Sequence, residues 1–201
     1  MAGRLTVEQI VSVDGYAAEP DGGMRFVSAA AAGDDADQLE FLGTVDAIVL
    51  GANTYRMFAD YWPAADPAIE VVAERINRLP KFVASKTLTD APWGSGSIAV
   101  LRGDARDSVA ELKRRFDHII VWGSLTLTDA LFTADLVDTL RLRVVPALLG
   151  AGRSFTPEHL GERRLELQHA VPMASGHLSL TYRLHEGGAA AEPPGQRQTS
   201  G

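Results

Sequence analysis

Apolar residues fall in short continuous blocks along this chain, and most blocks stop at a glycine or a hydroxyl residue. Ile119, Ile120, Val121 and Trp122 form one block, closed by Gly123-Ser124. Ala47, Ile48, Val49 and Leu50 form another, closed by Gly51. Such runs predict strands buried on both faces of a parallel sheet. Beyond each glycine the spacing changes: from Thr126, the residues Leu127, Ala130 and Leu131 recur at helical intervals. The local unit is strand, tight glycine turn, helix.

The same reading extends along the chain. Leu5–Val13 alternates and predicts a first strand ending in the turn sequence Asp14-Gly15. Residues 17–26, with Pro20 and Asp21-Gly22-Gly23, predict a mobile loop, and Asp34–Leu42 a short helix. Asn53 or Thr54 is the expected cap of the helix after Gly51. Ile69, Val72, Ala73 and Ile76 predict a helix running to Leu79, followed by strands over Lys81–Ser85 and Ile98–Leu101. Ser108 is read as the cap of a helix to Phe116. Val137–Val145 predicts a further strand, and Leu165–Val171 with Leu178–Leu184 a C-terminal antiparallel hairpin. The predicted fold is α/β, with a mostly parallel mixed sheet of about eight strands flanked by helices.

Composition changes this picture little. The 201 residues, 46% hydrophobic, suit one domain over 1–186. Residues 187–201, lacking aromatic and large aliphatic side chains, read as a disordered tail. No stretch nears the roughly 18 apolar residues of a membrane span, and there is no signal-peptide pattern. With no cysteine, disulfides and thiolate metal sites are excluded, and none of the five histidines has a metal-ligand spacing. A cytoplasmic protein is expected. The net charge of −7 argues against a nucleic-acid surface, though a local pocket can still hold an anion.

Candidate chemistry follows from the topology. Open α/β sheets bind ligands at the carboxyl ends of their strands. Those ends carry Gly51-Ala52-Asn53-Thr54, Ser85-Lys86-Thr87, Arg102-Gly103 and Gly123-Ser124. Glycines that let the backbone approach, helix N-termini and two cations on one edge point to a phosphate-bearing cofactor.

The ordered set of these motifs resembles the dihydrofolate reductase superfamily, and within it the reductase domain of bacterial riboflavin biosynthesis. The matching pieces are Ser12-Val-Asp-Gly15, Gly51-x-x-Thr54-Tyr55, Trp62-Pro63, Ser85, Val121-Trp-Gly-Ser124, and Leu136-Val-Asp138 leading into Pro146-x-Leu-Leu-Gly-x-Gly152. The resemblance implies a dihydrofolate reductase-like fold over about residues 4 to 185. It also implies NADPH as cofactor, a small-molecule substrate and a homodimer. By that resemblance Gly123, Ser124 and Leu125 lie at the pyrophosphate, and Ala52, Asn53 and Thr54 on the adenosine side, with Gly51, Trp122 and Thr126 also counted to the cofactor site. Ser85, Lys86 and Arg102 surround the 2′-phosphate, the strand end from Ile10 to Ser12 faces the nicotinamide, and residues 17–26 form a lid.

Three departures stand out. Ala52 occupies a position where the family often has arginine, which leaves NADPH preference to Lys86 and Arg102. The central turn is Gly-Ser rather than Gly-Gly, and a strained or cis Gly123–Ser124 bond is expected. Folate-type reductases carry a carboxylate on the first helix. Asp34, Asp35, Asp37 and Glu40 lie there, with Asp37 the candidate catalytic acid. The resulting reading is an NADPH-dependent reductase of a pterin-like or ribosylamino-pyrimidine-like heterocycle. A nucleotide- or flavin-binding protein of the same fold without turnover is the alternative. No zinc deaminase motif is present, and without cysteine none is possible.

Overall fold

A computed structural model describes residues 2–27 and 35–185. Eight strands build the main sheet: β1 (Arg4–Ser12), β2 (Ala47–Gly51), β3 (Lys81–Ala84), β4 (Ala99–Leu101), β5 (His118–Trp122), β6 (Thr139–Val145), β7 (Leu165–Pro172) and β8 (Leu178–Leu184). Their order across the sheet is β7-β8-β6-β1-β5-β2-β3-β4. The six strands from β6 to β4 are mutually parallel, and β8 runs antiparallel between β6 and β7. Five helices connect or cover them: α1 (Asp35–Gly43), α2 (Ala52–Tyr61), α3 (Ala73–Arg78), α4 (Ala105–Leu112) and α5 (Leu125–Thr133).

Strand β5 is buried along its whole length, as its apolar run requires. Its alternate residues serve two cores. Ile119 and Val121 join Val7, Val49, Leu127 and Leu131 on one face. Ile120 and Trp122 join Ile48, Leu50, Tyr55 and Ile76 on the other. Burial on both faces is what parallel strands obtain from helices on either side.

Several expectations are corrected. Residues 17–26 are less loose than predicted. Tyr16–Ala18 pairs with Arg153–Ser154, and Glu19 and Asp21 both hold Arg25. Helix α4 starts at Ala105, because Asp104 precedes Ser108 as a cap and accepts from the Arg106 amide at 2.8 Å. Helix α3 covers only the end of the predicted 69–79 segment. Ahead of it the Asp66 carbonyl takes the Ile69 and Glu70 amides, and its side chain takes that of Ala68, which closes a turn instead. Asp34 and the tail 187–201 lie outside the described residues.

Candidate cofactor cleft and active site

The carboxyl ends of β1, β5, β2 and β3 open on one edge of the sheet, and two helices start there. Helix α2 follows Gly51, an extended N-cap with no side-chain hydrogen bond. Helix α5 follows Ser124, likewise without a side-chain cap. Asn53 and Thr54 are therefore inside α2 rather than capping it. The first-turn amides of a helix have no partner within it, so both helix ends present donors and positive dipole toward the edge. The contrast is α4, whose first turn is filled by Asp104.

The two turns are bonded to each other. The Gly51 amide donates to Ser124 Oγ at 2.7 Å, and that hydroxyl donates to the Trp122 carbonyl at 2.7 Å. The Ser124 amide donates to Thr54 Oγ1 at 3.0 Å. On the other side Gln9 Nε2 donates to the Gly123 carbonyl at 2.6 Å, and the Gly123 amide to the Glu8 carbonyl at 3.0 Å. Gly123 and Ser124 adopt φ values of +50° and +57°, the left-handed region. No cis peptide occurs among the described residues, so the cis expectation fails while the expected strain is present, at Ser124, a non-glycine in that region. A Cβ on Gly51 would meet Ser124 Cβ at 3.2 Å, tighter than ordinary contact.

Along this edge runs a cleft of about 1650 Å³. Of the sequence-predicted positions, Gly51, Ala52, Asn53 and Thr54 line it beside α2. Trp122, Gly123, Ser124, Leu125 and Thr126 line it beside α5, and Ile10, Ser85 and Lys86 complete the set. Ser85 Oγ accepts from the Thr87 and Leu88 amides and so shapes the turn after β3. Arg102 is not in the lining: its guanidinium donates to the Thr89 carbonyl. Arg106, which sequence reasoning missed, lines that end instead, held by Asp104 at 2.7 and 2.9 Å. Arg106 and its amide hold the Asp104 carboxyl well below the ordinary range.

Asp37 also fails to reach the cleft. It is ion-paired with Arg141, which has 2% side-chain exposure. Arg141 Nη1 donates to Glu8 at 2.5 Å and also to Gln38, and Nη2 to Ser179 Oγ at 3.1 Å. The remaining Glu8 capacity goes to Trp122 Nε1, at 2.6 Å, and to Gln38 Nε2, at 3.1 Å. Phe41 of α1 lies under the guanidinium, 4.3 Å from ring centroid to Cζ. A buried polar row thus crosses β5, β1 and β6, with every member satisfied. The signal was present in the sequence: Arg141 and Arg143 alternate within an apolar strand, and Glu8 interrupts another.

The outer walls are apolar. Trp62 packs edge-on to Phe58 at 5.9 Å, and Phe58 against Trp122 at 5.5 Å. Ala17, Ala18 and Met24 close the β1 side, and Arg153 joins them, paired with Asp129 of α5. Burial pushes the Asp129 carboxyl up against the opposing pull of Arg153. Asp14 lies outside the cleft and has a fixed structural task. It accepts from Ser12 Oγ at 2.6 Å and from the Gly150 amide at 2.7 Å, and these bonds lower its pKa to about 2.

A mostly parallel sheet with an antiparallel hairpin at one edge, and a cleft at its strand ends, is the dihydrofolate reductase-like fold. Residues 4–178 match the model of the RibD C-terminal domain, and the chain belongs to that family. It is 26% identical over 172 residues to the uncharacterised protein YwjB of Bacillus subtilis, covering 82% of this chain and 90% of that one. Among solved structures, a candidate riboflavin biosynthesis protein from Shewanella sp. PV-4 superposes with a TM-score of 0.73 at 23% identity, over 92% of this chain and all of that one. Dihydrofolate reductase from Enterococcus faecalis, complexed with NADP(H) and RAB-propyl, gives a TM-score of 0.59 at 15% identity, over 92% of this chain and 99% of that one.

Proposed function

We propose that this protein is an NADPH-dependent reductase acting on a small heterocycle, pterin-like or ribosylamino-pyrimidine-like. The observation that carries the reading is the convergence of two helix N-termini without side-chain caps, those of α2 and α5, on one cleft edge, bonded together through Ser124. Two phosphates of a dinucleotide suit such a pair of ends. The residues present fit the group: a Cβ on Gly123 would crowd Thr54 Oγ1 at 3.3 Å, so glycine keeps the two turns close together, and Lys86 supplies a cation beyond β3.

When bound, the cofactor supplies a hydride, and the acceptor takes it at carbon while an adjacent nitrogen or oxygen gains a proton. The chain's own part is positioning and water exclusion. Ile10 and Trp122 form the floor beside the reacting rings, Phe58 and Trp62 a wall, and residues 17–24 a cover. Both carboxylates near the floor, Glu8 and Asp37, are held by Arg141. Water is therefore the proton source. The exposed edge-hairpin leucines 165, 167 and 178 support the homodimer that the resemblance implies.

The held carboxylates favour a second reading, nucleotide or flavin binding without turnover. The open cleft beside Ile10 supports the enzyme over it. A thermal-shift comparison tests the proposal. NADPH at 100 times its Kd should stabilise the fold by about 2.7 kcal/mol, with NADH giving less at equal concentration. Equal, negligible shifts for both would contradict it.

A further inference from the structure

Two arginines lie on the same face of β6, and their circumstances differ. Arg141 is buried and saturated by Glu8, Asp37, Gln38 and Ser179. Arg143, two residues further toward the cleft, is half-buried and lines it. Among the described residues it makes no hydrogen bond or ion pair. The other two arginines of the lining are both neutralised, Arg106 by Asp104 and Arg153 by Asp129. A half-buried guanidinium without a counter-charge is costly to keep unless a ligand completes it.

Its place in the sheet says which ligand. Arg143 is in register with Ile10 on the neighbouring strand β1, whereas Lys86 follows β3. Four strand steps separate β6 from β3, roughly 19 Å at ~4.8 Å per step. With the cofactor's phosphates on α2, α5 and Lys86, Arg143 stands at the opposite end, one strand from the floor of the acceptor slot. That slot is walled by apolar groups, Ile10, Ala17, Met24 and Leu39. An anion reaching Arg143 from a ring lying on Ile10 has to be attached to that ring, or directly beside it.

We propose that Arg143 is the specificity-determining anion receptor of the acceptor site, and that the substrate is a planar heterocycle bearing a carboxylate on or next to the ring that is reduced. The planar fork of arginine matches a carboxylate bidentately, which fixes the orientation of the ring as well as its affinity. The inference rests on reading the cleft as a reductase site.

Orotate and uracil, which differ by one ring carboxylate, are the probes, with uridine 5′-monophosphate for a phosphate on a distal arm. Affinities are measured by calorimetry on the full chain, with and without NADPH. Orotate should bind at least tenfold more tightly than uracil and more tightly than uridine 5′-monophosphate. Arg143→Gln should erase the orotate preference, and Arg143→Lys should retain part of it, while NADPH affinity stays within about twofold. Equal binding of orotate and uracil, no binding of either, preference for the nucleotide, or an orotate preference that survives Arg143→Gln would each overturn the proposal. Failure of NADPH to bind overturns the reductase reading alone, because the orotate preference is read without cofactor as well.

Discussion

Ser124 sits in a left-handed conformation, and its hydroxyl accepts the amide of Gly51, 73 residues earlier, at 2.7 Å. One side chain thereby ties the turn after β5 to the turn after β2. Both substitutions Ser124→Ala and Ser124→Gly remove the hydroxyl, but only glycine relieves the positive φ. The glycine variant should be the more stable by about 1 kcal/mol, measured by urea unfolding. Both should weaken NADPH binding, because the two helix ends lose their common fixture.

The buried Glu8–Arg141 pair carries a second prediction. Both partners are 2% exposed, and Arg141 also holds Asp37, so losing Arg141 leaves two carboxylates without a counter-charge while losing Glu8 leaves Arg141 its Asp37 partner. Arg141→Met should therefore cost about 3–5 kcal/mol, and Glu8→Gln less. The double variant with Glu8→Gln should lose less than the sum of the two, since Glu8 is then no longer a buried charge without a partner. Strict additivity in the unfolding free energies would show that the pair is not coupled.

His118 predicts the acid response of the fold. Burial, reinforced by the Arg4 guanidinium, lowers its pKa from 6.5 to about 4. Between those values the unfolded chain binds a proton that the folded chain refuses. Stability present above pH 6.5 is therefore lost progressively as pH falls toward 4, by about 3 kcal/mol. His118→Gln should flatten that part of the stability profile, with circular dichroism melts as the readout.

Lys86 and Arg102 separate cofactor preference from fold. Lys86 lines the cleft, while Arg102 is turned to the Thr89 carbonyl. Lys86→Ala should narrow the NADPH-to-NADH affinity ratio about tenfold, the scale of one lost charge-assisted contact. Arg102→Ala should leave the ratio nearly unchanged. A larger effect from Arg102 would mean that its guanidinium swings into the cleft when nucleotide arrives.

Much of this architecture was legible in the chain. Continuous apolar runs ending in glycine located β2 and β5, because burial on both faces leaves no polar alternation to obscure them. The same runs placed the two turns, and twelve of the thirteen expected cofactor positions do line the cleft; Arg102 is the exception. Local readings failed where a nearby side chain offered the backbone a better partner. Asp104 displaced Ser108 as a cap, and Asp66 closed a turn where helical spacing continued. The resemblance points to a carboxylate on the first helix, where Asp37 lies, but carries no information on where Arg141 of β6 falls. That pairing spans 104 residues. It depends on strand order, and the alternating arginines of β6 announced only that some partner was required.

The most direct test of the reductase reading is an equilibrium titration with NADPH, followed by tryptophan fluorescence. Trp122 and Trp62 both line the cleft, so occupancy should quench their emission. Saturable quenching at micromolar NADPH, weaker with NADH and weakened by Lys86→Ala, is the predicted result. Unchanged emission with either nucleotide up to millimolar concentration would contradict it, and would leave a reductase fold whose cleft serves another ligand.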